Sequence, residues 1–185
     1  MSDEQIVKYC APTLAGIKTG NLFSCKDASV AAVRALNRRL VPKGICTLAK
    51  ERGGTRTLVY VFRPAYLALD LRDARAAALL RARGYPFGEM RRCVAELMRR
   101  IENDAAFPHE VGLFLGYPPE DVRAFIDGRD AYKCVGCWKV YDDADAARRA
   151  FGQYKRCTRE YRKRWESGYS LDTLAVCQNE CPAFW

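Results

Sequence analysis

The tightest constraint on this chain lies between Ala147 and Trp165. Ala147, Phe151, Tyr154, Thr158, Tyr161 and Trp165 recur at alternating steps of four and three, the spacing that lines up one apolar seam along an α-helix. Such a helix must cover its seam against another element. Gly168, just beyond, marks its end.

The partner surface is read from the β-rich runs. Ile45 to Ala49 and Thr55 to Phe62 flank Gly53-Gly54 and form a hairpin, and Leu58 to Phe62 (LVYVF) is apolar enough to lie centrally. Pro64 stops that strand. Lys133 to Tyr141 (KCVGCWKVY) reads as a further strand, and Thr13 to Phe23 as one with a bend at its glycines. Ser24-Cys25-Lys26-Asp27 has the form of a capping box for a helix carrying Val33, Leu36 and Leu40, ended by Pro42 and Gly44. Arg72 to Arg83 and Gly88 to Glu102 are helical patterns broken at Gly84-Tyr85-Pro86. Pro119-Glu120-Asp121 opens a short helix that Gly128 closes.

The order strand, helix, hairpin, helices, strand, helix predicts an α+β fold with a small, mainly antiparallel sheet and helices packed on it. The hairpin at 45–62 and the strand around Trp138 are expected in one sheet, under the seam of the last helix. Residues 1–176 read as a single domain and 177–185 as a C-terminal tail.

No segment approaches the roughly 18 uninterrupted apolar residues of a membrane span. The opening MSDEQIVKYC is acidic and sparsely apolar, unlike a secretory signal, so a cytosolic location is expected. There the nine cysteines read as core residues, metal ligands or reactive thiols rather than disulfides. A formal charge of +9, from 31 Lys and Arg against 22 Asp and Glu, favours an anionic ligand or an acidic protein partner.

CAPTLAGIKTGNLFSC, LVYVFRP, FPHEVGLFLGYPPEDV, KCVGCWKVY and YKRCT, in this order, resemble a bacterial domain family that has no assigned function. The motifs have the form PTLAGxKxxxLF, FPHExGxFLGYPxxDV and CxGxWKVY. The likeness runs from about Tyr9 to Val176, and its most specific part is the FPHE-to-GYPPEDV block. It carries no activity, cofactor or catalytic residue with it. Cys177 and Cys181 lie beyond the shared motifs.

Three constellations carry chemistry. His109, the chain's single histidine, follows Pro108 and precedes Glu110, so it is expected in a first helical turn where the dipole favours neutral imidazole. Gly112 and Gly116 would let a ligand approach the backbone, which makes His109, Glu110, Gly112 and Gly116 candidate ligand-binding residues. Cys25, if Ser24 caps a helix, sits where free N–H groups stabilise a thiolate, and with His109 as base it would make a Cys–His nucleophile pair. Cys134 and Cys137 have the C-x-x-C spacing of a metal or redox pair, with zinc or iron as the candidate metal and Cys177 with Cys181 as a second, looser pair. In strand conformation the two sulfurs point to opposite faces unless Gly136 bulges.

Arg148, Lys155 and Arg162 form one basic stripe on the last helix, and Arg149, Arg156 and Lys163 the next. A phosphate-tracking face is the alternative to a solvated one, but the aromatics there belong to the seam and cannot stack on bases. The leading expectation is therefore a non-catalytic cytosolic module that binds a ligand or metal through Cys and His side chains near FPHEVGLFLGYPPEDV. A thiol enzyme using Cys25 and His109 is the second, and nucleic-acid binding the third.

Overall fold

The computed structural model describes residues 1–26, 28–52, 56–86, 88–103 and 105–177. The described backbone packs as two compact units, one of residues 1–66 with 154–177, the other Leu67–Gln153.

The first unit begins with a helix, α1 (Asp3–Leu14). Ser2 accepts from the Gln5 N–H at 3.3 Å while the Gln5 side chain accepts from the Ser2 N–H at 2.9 Å, a reciprocal capping box reinforced by Asp3 and Glu4 in the first turn. The expected strand over 13–23 is thus corrected: Thr13 and Leu14 end α1, and the strand β1 is Gly20–Cys25. The capping box expected at Ser24 is corrected too. Ser24 and Cys25 pair in β1 with Leu58 and Thr57, and the next helix, α2 (Val30–Leu40), starts at Ser29, which accepts from the Ala32 N–H at 3.2 Å. Asp27, the other half of the expected box, lies outside the described residues. A 3-10 turn, Val41–Lys43, and Gly44 at φ 76° end α2, where only glycine adopts the left-handed turn without strain.

β2 (Cys46–Arg52) and β3 (Arg56–Phe62) pair antiparallel as expected of a hairpin, and Gly53 and Gly54 lie outside the described residues. The sheet order is β1-β3-β2, all antiparallel, so LVYVF is the central strand. Val59, Tyr60 and Val61 are fully buried, as a strand covered on both faces requires. The core joins Ile6, Cys10 and Leu14 of α1, Leu36 and Leu40 of α2, Val59 and Val61, and Tyr161 from the last long helix, α8 (Ala144–Glu166). α9 (Leu171–Leu174) adds Leu171 and Leu174. The buried Arg63 donates to the carbonyls of Thr13 at 2.7 Å and of Leu14 and Val176 at 2.8 Å each, satisfying the free C=O groups at the end of α1.

The second unit holds most of α3 (Pro64–Asp70), then α4 (Ala74–Ala82), α5 (Met90–Asn103), α6 (Val111–Phe114) and α7 (Pro119–Ile126). A short hairpin, β4 (Cys134–Val135) and β5 (Lys139–Val140), precedes α8. Asp73 caps α4 through the Arg75 and Ala76 N–H groups. The single-sheet expectation is corrected: among the described residues β4 and β5 pair with each other, as a sheet separate from β1-β3-β2. The cause is local. The segment folds back at Gly136, whose N–H donates to the Trp138 carbonyl at 3.0 Å. A Cβ added at Gly136 would lie 2.3 Å from the Phe151 ring, so only glycine lets that ring close over the turn. The seam of α8 accordingly serves two cores: Ala147 and Phe151 pack with Val140, and Tyr161 with the three-stranded sheet.

Candidate functional site

Pro108 is buried and His109 is exposed in the turn ahead of α6. Val111, Gly112, Leu113, Phe114 and Leu115 are all buried, so this segment is anchored by its apolar centre as its composition predicts. α6 then ends in the left-handed residue Gly116, at φ 75°, and Pro119 starts α7 with Glu120 and Asp121 in its first turn. A Cβ added to Gly112 would lie 2.7 Å from Val122 Cγ2 and 3.1 Å from Tyr117 Cδ2. Its absence brings α6 onto α7.

Asp121 ties α7 to the short hairpin. Its Oδ2 accepts from Trp138 Nε1 at 2.7 Å, and its Oδ1 from the N–H groups of Tyr141 at 2.7 Å and Asp142 at 3.0 Å. The Trp138 ring stacks on Tyr117 at 4.7 Å between centroids and meets Phe151 edge-on at 4.6 Å. The result is a pocket of about 180 Å³ between the 109–117 segment, α7 and the hairpin. Val111, Gly112, Tyr117, Val122, Phe125 and Trp138 give it an apolar, aromatic lining, and His109, Asp121, Cys137 and Lys139 add polar groups.

Two of these polar groups are available. The His109 ring lies edge-on to Phe125 at 5.0 Å, and neither of its nitrogens has a hydrogen-bond partner among the described residues. Lys139 Nζ sits 5.6 Å from the Phe125 centroid and 5.2 Å from that of Tyr132, a cation over aromatic faces. Among the described residues no carboxylate pairs with it. Asp121, holding three donors, is spent on structure.

The expected site residues divide accordingly. His109 and Gly112 line the pocket; Gly116 and Glu110 do not. Glu110 is 1% exposed and accepts from Tyr85 Oη at 3.0 Å and Arg100 Nη1 at 3.2 Å, with Arg83 Nη2 at 3.5 Å. Arg100 lies over the Tyr85 ring at 4.2 Å. Burial, helped by the adjacent Glu110 charge, pushes the Tyr85 hydroxyl well above its ordinary pKa. Glu110 thus locks α4 and α5 to the turn instead of facing a ligand. His109 lies in the turn ahead of the four-residue α6, so its expected placement inside a first helical turn is corrected.

Cys25 loses the premise of its activation. It is 3% exposed, within a strand, with its thiol 3.7 Å from Gln5 Oε1, and no helix N-terminus lies at it. Cys25 belongs to the first unit and His109 to the second. The two C-x-x-C residues sit in different surroundings: Cys134 packs beside Val140 and Phe151, while Cys137 is exposed at the pocket. Among the described residues no three His, Cys, Asp or Glu side chains are grouped to hold a metal ion. Cys181 lies outside the described residues.

Residues 6–175 match a family model described as "Protein of unknown function (DUF3793)". The chain belongs to this family. No curated protein and no solved structure matches it. In this DUF3793 chain the motif blocks 107–122 and 133–141 supply every residue of the pocket lining except Phe125. Of the residues lining the pocket, sequence reading singles out His109, Gly112 and Cys137, and not Tyr117, Asp121, Phe125, Trp138 or Lys139. One local signal was present: Asp121 and Phe125 stand at i, i+4, on one face of α7.

Proposed function

We propose that this DUF3793 protein is a non-catalytic module, working in the cytosol, that binds a small organic ligand in the pocket beside His109. The observation that carries this reading is the convergence of two separate motif blocks on one apolar, aromatic-lined concavity with two unspent polar groups. That is the ordinary anatomy of a small-molecule site. The eight described cysteines are free thiols, in keeping with a reducing compartment. No helix among the described residues is long and apolar enough to cross a membrane. In an activated-nucleophile site the base is itself oriented by a further group, and Asp121, the carboxylate of the lining, is committed to Trp138 and the hairpin backbone.

The test is a titration of the labelled full-length protein with a mixed set of one-ring and two-ring compounds, followed at the Trp138 indole N–H. Binding should shift that signal and those of His109 and Gly112 together. His109→Ala should leave the melting temperature nearly unchanged, since the ring is exposed, and weaken whatever binds. Leu115→Ala should cost roughly 2–5 kcal/mol of stability, as truncation of a buried leucine does. A silent Trp138 throughout, or a His109→Ala variant that unfolds, would remove the reading.

A further inference from the structure

We infer that the ligand of this pocket is a planar anion, a single aromatic ring bearing a carboxylate, with its ring among Tyr117, Phe125 and Trp138 and its charge toward Lys139 and His109. This rests on the pocket being the binding site and names what it takes. Three observations lead there.

The first is size. The pocket measures about 180 Å³, and an apolar cavity of about 150 Å³ accommodates benzene. One ring with a small substituent fits; a dinucleotide does not. The second is the wall. Tyr117 and Trp138 present a stacked pair and Phe125 another ring, an arrangement that favours a flat, polarizable guest.

The third is charge. All three donors reaching Asp121 come from the protein itself, so its oxygens have little left to offer a ligand's N–H or cation. The open groups can both donate: the Lys139 ammonium, with no carboxylate against it among the described residues, and a ring N–H of the His109 imidazole. Aromatic walls also attract organic cations. Here such a cation would meet Lys139, already seated over the Phe125 and Tyr132 rings. A carboxylate turned toward Lys139 instead gains a charge-assisted contact there, while the like charge of Asp121 is turned to its own three donors.

The experiment is a matched series of benzoate, benzamide, benzylammonium and inorganic phosphate, each titrated into the full chain and read at the Trp138 indole N–H. Benzoate should bind about tenfold more tightly than benzamide, the worth of one charge-assisted contact, and benzylammonium most weakly. Lys139→Met should erase the preference for benzoate while leaving benzamide bound; Lys139→Arg should keep it. Lys139 is exposed, so neither change threatens the fold. Benzamide or benzylammonium binding as tightly as benzoate overturns the ligand class and leaves the pocket standing. So does an unchanged preference in Lys139→Met, or phosphate matching benzoate. If no arene moves Trp138, the pocket itself is not the site, and both readings fall.

Discussion

Cysteine shows how far a residue's chemistry depends on its surroundings. Cys10 is fully buried, and desolvation drives its thiol far above the ordinary pKa. Burial also pushes the Cys157 thiol up, to about 11. Cys25 is buried within β1, in the core shared with α1, whereas Cys137 and Cys177 are exposed. Iodoacetamide at pH 8 should therefore modify Cys137 and Cys177 first. Cys25 should react only as the fold opens, and peptide mass spectrometry over a time course reads the order. Early modification of Cys25 would restore it as a nucleophile candidate. Glu96 supplies a residue-scale pH dependence. Hydrogen bonds from Arg99, joined by Arg100, hold its carboxyl down at about 2, below the unfolded value of about 4.3. Because the folded pKa is the lower one, the stabilisation is fully present above the unfolded value and fades as pH falls through the folded one. Urea midpoints between pH 5 and pH 2 should fall less steeply in Glu96→Gln than in the native chain.

Among elements, the 134–140 hairpin is the instructive one. Its strands have two residues each, too short to hold themselves together. They are held by Asp121, which gathers Trp138 and two backbone N–H groups onto α7, and by Phe151 closing over Gly136. Asp121→Ala would leave those donors without their acceptor and should cost roughly 2–4 kcal/mol by denaturant unfolding, with loss of the near-ultraviolet signal of Trp138. Asp130→Ala, at an exposed position, should stay within about 0.5 kcal/mol. Equal effects at the two positions would show that Asp121 is not the anchor.

For the whole molecule the governing quantity is the charge of +9. On α8, Arg148, Arg149, Lys155, Arg156, Arg162 and Lys163 are all exposed, while Phe151 and Tyr161 are buried. This is a solvated basic face without aromatic platforms for bases. The native protein should not be retained by DNA or RNA at physiological salt. Retention that falls steeply with rising salt, and is lost when Arg156 and Lys163 both become Glu, would reverse that expectation.

Periodicity alone determined a good part of this protein. The seam from Ala147 to Trp165 lies on one helix, with Ala147, Phe151 and Tyr161 buried; LVYVF is the central strand of an antiparallel sheet; and helices break at Gly84 and Gly128. These features depend on which residues repeat every two or three to four positions, and side-chain burial obeys that repeat wherever the element lies. Capping was ambiguous, because Ser2, Ser24 and Ser29 all carry the chemistry of a cap. Strand pairing of Ser24 with Leu58 decided against it, and Ser2-Asp3-Glu4-Gln5 was an equally legible box. Tertiary structure alone decided the rest. It turned Glu110 inward onto Tyr85 and Arg100, folded 133–141 back beneath Phe151, and brought Lys139 and Trp138 to the pocket of His109. Those outcomes turn on contacts between residues tens of positions apart, where shape and charge, rather than spacing along the chain, select the partner.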